Sequence, residues 1–388
     1  MGPFDVVIAG AGPVGLTVAG ALAGSGLSVL LLNPHAAAPA AERPIALSHG
    51  SRLLLEQLGA WNEAAATPIA TIHVSQHRGW GRTIFQAGDY DLPALGYVVP
   101  YSELVRSLAT RTSGVLASLA VSEVSRGRQS LTLKLANPAG SPDRRADIET
   151  KLLVLADGNS GGHKNKRVHD YRQSAIVTTA KSSIVRKGYA WERFAPQGPL
   201  ALLPYSMNGT PQGRHYAVIW SVASALASGL LTLDDAPFSH VLTQAFGSRL
   251  GDLRVTSGRH AFPLVLRSGD VTGQDRTVVI GNASQTLHPV AGQGLNLGLR
   301  DAWELAEMLR DSPVGSIGST AFVARFIARR RLDRMGGIRF TDSLVSLFSN
   351  PSGPLGAIRG LGLAALDIFP PARHFVARRM IFGSRSMP

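Results

Sequence analysis

The sequence predicts an α/β protein in which a Rossmann-like dinucleotide-binding unit is interleaved with a mostly antiparallel β-sheet unit and followed by a C-terminal helical region. Three observations predict it. A strand, glycine turn, helix and second strand open the chain; apolar strands with Gly/Pro-rich connections fill its middle; and a second strand, loop, glycine turn and helix return at Val279 to Asp301. The 388 residues are enough for two interlocked units with large cores, and 45% hydrophobic against 17% charged residues is a globular balance.

The opening is the most informative stretch. Phe4 to Ala9 is an apolar strand, Gly10-Ala-Gly12-Pro-Val-Gly15 follows, and an alanine- and leucine-rich helix runs to about Ala23. Gly24-Ser-Gly26 ends that helix and Ser28 to Leu32 forms the second strand. Gly-x-Gly-x-x-Gly between a strand and a helix, in a unit of about 30 residues, is the dinucleotide fingerprint. Gly10 makes the turn, Gly12 admits a pyrophosphate and Gly15 lets helix and strand pack closely. The second strand ends on Asn33, where an acid ordinarily holds the ribose hydroxyls, and a neutral acceptor is weaker than a carboxylate.

A loop rich in Ala and Pro, Pro34 to Glu42, leads to Arg43, close enough behind the second strand to reach a pyrophosphate. A helix is expected over Gly50 to Leu58, and strands over Ile69 to Ser75 and Arg82 to Gln86. Tyr97 to Pro100 is expected to return to the first sheet, and Glu103 to Thr112 reads as a helix. Val115 to Val124 and Ser130 to Leu135 read as paired strands, and Thr150 to Ala156 as an apolar strand closing on Asp157-Gly158. Alone, Asp-Gly is a turn; at a strand end it suits ribose or ribityl hydroxyls as well. Ser174 to Val185, Leu200 to Tyr205 and Arg214 to Val222 are strand-like and make up the second sheet.

The chain then returns. Thr277 to Ile280 is a short strand, a polar loop carries Pro289, and Gly292-Gln-Gly294 opens a helix. Leu295, Leu299, Ala302, Leu305, Ala306 and Leu309 recur at helical spacing, so this helix buries one face. Small residues at its start leave backbone N–H groups open to an electron-rich or anionic ligand. Long helices are expected from Ala321 to Arg339, with shorter ones after.

Composition excludes several chemistries. With no cysteine there is no disulfide, thiolate nucleophile or iron–sulfur cluster, and no histidine pair has metal-ligand spacing. Asp5 before a short apolar run marks a first strand and not a signal peptide. No stretch reaches the roughly 18 apolar residues of a spanning helix. The net charge is +13, and Thr320 to the end holds eleven arginines, no lysine and three acids. Such a region suits anionic lipid or an acidic partner, or is a solvated surface. No nucleic-acid module is recognisable, so no nucleic-acid partner is expected.

Taken together, the glycine turn, Asp157-Gly158 and the late Gly281-to-Gly298 motif resemble those of the single-component FAD aromatic hydroxylases. Arg43-Pro-Ile-Ala-Leu, Ile72-His-Val-Ser75, Glu192-Arg-Phe, Gly198-Pro-Leu-Ala-Leu-Leu-Pro204 and Thr341-Asp-Ser-Leu-Val345 narrow the resemblance to the hydroxylases of ubiquinone biosynthesis, and within them to the 2-octaprenyl-6-methoxyphenol hydroxylase group. The resemblance implies FAD as cofactor, NAD(P)H as a transient reductant without its own domain, and dioxygen captured as a flavin C4a-hydroperoxide that hydroxylates a polyprenylated phenol.

It also implies roles. Gly10, Gly12 and Gly15 would hold the pyrophosphate, with Arg43 on its flavin side. Asp157, Gly158, Gly281 and Asn282 would line the ribityl region. Gly292 and Gly294 would open the turn whose Leu295 and Asn296 N–H groups bind the flavin N1–C2=O edge. Pro289 would lie beside C4a, and His288 would be either an acid–base group or a packing histidine. Leu202, Leu203, Pro204, Ile219 and Trp220 are candidates to keep water from the flavin. FAD-binding residues are expected at 1–72, 98–170 and 270–345, substrate residues at 73–97 and 171–269, and a helical region at 346–388 for membrane or partner contact. A polyprenyl substrate implies a cytoplasmic protein held peripherally on the inner membrane face, against anionic lipid or other enzymes of the route. Asn33 and the irregular Asn159-to-Lys166 segment leave open a flavin-weak scaffold of a quinone-biosynthesis assembly; a hydroxylase of a small soluble phenol is a second alternative, against which the hydrophobic basic tail argues.

Overall fold

Val6, Val7 and Ile8 have no exposed surface, so the first strand, Phe4–Ala9, is covered on both faces, as a central parallel strand is. The computed structural model describes residues 3–33, 43–77, 81–112, 116–136, 146–158, 166–206, 213–269, 273–274, 276–286, 293–349 and 353–383. Among these, the first strand pairs in parallel with Val29–Leu32 on one side and Ala146–Leu155 on the other. Leu116–Ala117 and Thr277–Val279 extend the parallel set outward. One face is covered by the helices Pro13–Ala21 and Gln293–Arg310, the other by the antiparallel strands Ala120–Arg126 and Leu131–Ala136. This is the expected Rossmann-like unit.

The second sheet has nine strands among the described residues. Its order runs Gln285–Thr286, His260–Gly269, Lys166–Ser182, His215–Ala223, Gly198–Pro204, Tyr189–Ala195, Thr71–Gln76 and Arg82–Gln86, with Leu253–Val255 off this path. Every pairing is antiparallel except Tyr189–Ala195 with Thr71–Gln76. Successive side chains of a strand point to opposite faces. The far face carries Ile176, Leu200, Leu202, Val218 and Trp220, closed by Phe238, Leu242 and Phe246 of the helix Asp235–Phe246.

Tyr97 to Pro100 departs from expectation. It does not rejoin the first sheet; Gly96–Pro100 lies between Pro44–Ser48 and Thr67–Ile69 in a separate three-stranded antiparallel sheet. Pro44, Pro68 and Pro100 lack the N–H that a central strand needs, which suits a small sheet with open edges. Ile69 and Val98 of this sheet pack on Ala190, Leu203 and Ala217 and so join it to the near face of the nine-stranded sheet.

The last helices are Thr320–Ser349, Gly353–Ile368 and Pro370–Phe382. Arg330, 2% exposed, ties the first of them to the preceding helix through Asp301 at 2.7 Å and Glu304 at 2.6 Å, and bonds its own Asp333 at 2.7 Å. Arg300 joins Asp333 at 3.0 Å. A buried guanidinium with several carboxylates is held charged by them, and its pKa is raised although burial opposes it. Ala377 and Ile381 of Pro370–Phe382 pack with Phe85, Ile72 and Val74, so the C-terminal helix lies on the near face of the second sheet.

Candidate active site

The glycine turn owes its shape to contacts with the end of the central strand. Gly10 has φ +115°, and a Cβ built on it would stand 2.5 Å from the Asp157 backbone, so only glycine fits. A Cβ on Gly15 would collide with the Gly10 carbonyl oxygen. Gly12 differs: its Cβ would meet nothing nearer than the Tyr101 hydroxyl at 3.9 Å. That opening lies at the N-terminus of Pro13–Ala21, which no side chain caps. An uncapped helix start beside an open glycine is where a phosphate group fits.

The later motifs converge on the same edge. A Cβ on Gly298 would approach Val14 Cγ2 to 2.8 Å and the Gly281 Cα to 3.2 Å, so the late helix and its preceding turn press directly on the first helix. A Cβ on Gly158 would lie 3.8 Å from the Asn282 Cβ. Arg334 holds the turn after Gly281 by donating to Ser284 Oγ at 2.6 Å and Gln285 Oε1 at 3.2 Å. Asn33 stands at the end of the second strand, where its N–H donates to the Ala117 carbonyl at 2.8 Å.

Gly294, Leu295 and Asn296 lie in the first turn of Gln293–Arg310, whose early N–H groups have no partner within the helix. The Asn296 side chain has a role that its position did not announce. It accepts from Ser48 N at 2.8 Å and Ser51 Oγ at 2.7 Å, and donates to the Ala46 carbonyl at 3.2 Å. One amide therefore fixes the helix start against the turn from Pro44–Ser48 into His49–Gln57. His288, Pro289 and Gly292 lie outside the described residues, as does 159–165.

Arg43 spans two units. Its guanidinium lies 4.7 Å from the Tyr101 ring centroid, beside the Gly12 opening, and 6.0 Å from that of Phe262 on the second sheet. The Phe262 side chain belongs to the near face. Register carries that face across the sheet in one row: Val177, Ile219, Ala201, Glu192 and Val74 stand side by side. All five are partly buried, whereas their strand neighbours Ile176, Trp220, Leu200, Leu202 and Trp191 are packed on the far face.

The proposed water shield is corrected accordingly. Ile219 and Leu203 are on the near face. Leu202, Trp220 and Pro204 alternate onto the far one, where Leu202 and Trp220 have no exposed surface. Glu192 was not singled out as a site residue. Its signal is one acid in the otherwise apolar near-face row, and burial pushes its carboxyl up to about 7.

A family model described as FAD binding domain matches residues 3–318. The chain belongs to this family of FAD-binding monooxygenases. It is 32% identical over 390 residues to the ubiquinone hydroxylase UbiL of Rhodospirillum rubrum, covering 96% of this chain and 88% of that protein. To the 3-demethoxyubiquinol 3-hydroxylase of Escherichia coli K12 it is 29% identical over 390 residues, covering 94% and 95%. The crystal structure of p-nitrophenol 4-monooxygenase PnpA from Pseudomonas putida DLL-E4 matches it with a TM-score of 0.74 at 16% identity, over 99% of this chain and 100% of that one, a likeness of fold.

FAD is the cofactor of this FAD-binding monooxygenase, and the edge fits it. The open Gly12 and the uncapped helix start suit a diphosphate, and the first turn of Gln293–Arg310 presents N–H groups suited to an electron-rich ring edge. Among the described residues no cluster of metal ligands exists and no helix is long and apolar enough to cross a membrane.

Proposed function

We propose that this FAD-binding monooxygenase hydroxylates a polyprenylated phenol in ubiquinone biosynthesis, with NAD(P)H and dioxygen as co-substrates, and that the ring is of the 6-methoxyphenol type. The observation that carries the reading is the meeting of the glycine edge with the partly buried near face through Arg43, whose guanidinium lies beside both Tyr101 and Phe262. The names of relatives matching nearly the whole chain support the substrate class.

When bound, FAD supplies the electron transfer and the activation of dioxygen. The chain's own residues bind and shield. In this proposal Gly10, Gly12 and Gly15 surround the diphosphate, Arg43 offsets its charge, and Asp157, Gly158, Gly281 and Asn282 border the ribityl chain. The Leu295 and Asn296 N–H groups would donate to the flavin N1–C2=O edge, and fixed dipoles there would need no reorganisation as charge develops. Val177, Ile219 and Ala201 exclude water from the reacting ring. Pro289 and His288 keep their proposed places beside the flavin, and the division of the chain at the residues given above belongs to the same proposal.

Membrane placement is a further part. Leu361, Ile368, Phe369 and Phe375 are 59%, 80%, 59% and 66% exposed, beside the exposed Arg378. Apolar side chains next to a cation on short helices suit the interface of an anionic bilayer. Not all of the arginine excess is available, because Arg373 lies 3.8 Å from Asp89 and 3.9 Å from Asp367.

The test is NAD(P)H oxidation by the FAD-loaded protein with a prenylated phenol and with the same phenol lacking its tail. The expected result is oxidation stimulated by the prenylated compound and a product one oxygen heavier. A flavin that is reduced and reoxidised, yet yields no oxygenated product from either phenol, would sink the reading.

A further inference from the structure

The near-face row contains one group that apolar packing does not explain. Glu192 sits between Ala201 and Val74 of the adjoining strands, with Ile219 one strand further on. Glu192 is partly buried, and the protein around it desolvates its carboxyl. No hydrogen bond or ion pair reaches its carboxyl among the described residues, and burial is the cause of its raised pKa. A buried carboxyl without a partner costs stability, and none of the described residues supplies one, which leaves a bound ligand as the group to do so.

The surroundings link Glu192 to the turn proposed to bind the flavin. Val74, the neighbour of Glu192, packs with Ala377 and Ile381 of Pro370–Phe382. The adjacent Met380 carbonyl accepts from Gln293 Nε2 at 3.4 Å, in the first turn of the late helix. One helix width therefore separates the Glu192 row from the turn proposed to bind the flavin edge. Among the described residues, the charges nearby on these elements are engaged or turned away. His73 and Arg193 alternate onto the far face, where Arg193 lies over Phe246, and His260 is at the opposite end of the row. On the covering helices, Arg373 is paired with Asp89 and Asp367, His374 lies against Tyr90, and Arg379 donates to the Leu332 carbonyl. The same helices also carry Arg339, Asp342, Arg359 and Arg378.

We propose that Glu192 receives the phenolic hydroxyl of the substrate and takes its proton during hydroxylation. This rests on the phenol-hydroxylase reading above. The phenolic O–H bond breaks and a carboxyl O–H bond forms. The electron pair left on the phenolic oxygen enriches the ring carbons ortho and para to it. One of these would form the new C–O bond as the oxygen supplied by the flavin reaction breaks from its former partner, which keeps that bond's electron pair. The ring carbon's hydrogen would then pass as a proton to the former phenolic oxygen as the ring rearomatises. Water at the opened site removes the proton from Glu192 after product release. A general base of this kind contributes about 10²- to 10⁴-fold to rate when its pKa lies near the working pH.

The experiment compares the FAD-loaded wild type with Glu192→Gln and Glu192→Asp, using a short-tailed 2-prenylphenol and following product by mass from pH 5.5 to 8.5. The expected result is a wild-type rate that rises through an apparent pKa near 7. Glu192→Gln should lose about 10²-fold or more and the pH step, with unchanged FAD content. Glu192→Asp should retain part of the rate with a displaced step. Glu192→Gln should also melt at higher temperature than wild type at pH 8, because it removes an unpaired charge; loss of activity with a lower melting point and lost FAD in Gln, and an undisplaced profile in Asp, would mean a structural role and overturn the proposal. A wild type that hydroxylates the probe alongside a Gln variant with the same rate and profile overturns this inference alone. A wild type that forms no product overturns the function reading and this inference with it.

Discussion

The two faces of the nine-stranded sheet are made by the same strands and do opposite things. On the far face every second residue is fully packed: Ile176, Leu200, Leu202, Val218 and Trp220 have no exposed surface beneath the helix Asp235–Phe246. On the near face, Val177, Ile219, Ala201 and Val74 stay partly exposed around an acid that has no partner among the described residues. The strands spend their packing on one side and leave the other incomplete, which is how a rigid scaffold can hold a site that must admit a ring.

The sharpest test of this contrast is a pair of adjacent residues. Trp220→Ala should cost about 3–5 kcal/mol by leaving a cavity in a closed core. Ile219→Ala should cost only about 1 kcal/mol, because its side chain is not fully buried. Its expected signature is different: a larger share of NAD(P)H oxidation ending in hydrogen peroxide, as water enters. Denaturant midpoints and a peroxide assay check both; equal destabilisation by the two variants would erase the distinction.

A second test uses pH, because each face holds a group whose displaced pKa falls between about 4 and 7. On the far face, burial and then the Arg249 guanidinium lower His73 from 6.5 to about 4. Above pH 6.5 the imidazole is neutral folded and unfolded, and its contribution is intact. As pH falls from 6.5 towards 4 the unfolded chain takes the proton first, and up to about 3 kcal/mol is lost. Glu192 runs the other way. Burial raises it from 4.5 to about 7. Stability is fullest below pH 4.5 and falls as pH rises towards 7, again by up to about 3 kcal/mol. Between pH 4.5 and 7 the two variants should therefore change the slope of the denaturation midpoints in opposite directions: His73→Asn removes a rise with pH and Glu192→Gln removes a fall. Identical profiles for wild type and both variants would show that neither group is buried as described.

The smallest effect concerns the same inward–outward split in Gly353–Ile368. Leu363 is 5% exposed and its carbonyl accepts from Thr83 at 2.5 Å, while Ile368 and Phe369 point out. Ile368→Ser with Phe369→Ser should change stability by less than about 0.5 kcal/mol. It should still reduce sedimentation with vesicles containing anionic phosphatidylserine or phosphatidylglycerol. Undiminished sedimentation would remove the membrane proposal.

Much of the Rossmann-like unit was legible because its signals are local. Phe4 to Leu32 announces strand, turn, helix and strand within one short segment, and the structure has them at Phe4–Ala9, Pro13–Ala21 and Val29–Leu32. Less legible were Gly96–Pro100, whose apolar run looked like a strand of the first sheet, and Leu202 and Trp220, whose hydrophobicity looked like a flavin shield. A period of two tells which residues share a face, not which face meets the cofactor. The Asn296 side chain gave no signal, because its partners Ser48 and Ser51 are some 245 to 248 residues away.

By itself the sequence determined the nucleotide-binding turn, the strand-rich middle and the absence of thiol chemistry, because backbone sterics and side-chain inventory act on neighbouring residues. Only the tertiary structure decided that the first, central and late glycine motifs share one edge, and that the Glu192 carboxyl is desolvated on the near face. The reason is physical. A close approach such as Gly298 to Val14, or the desolvation of one carboxyl, is a property of atoms brought together from distant parts of the chain.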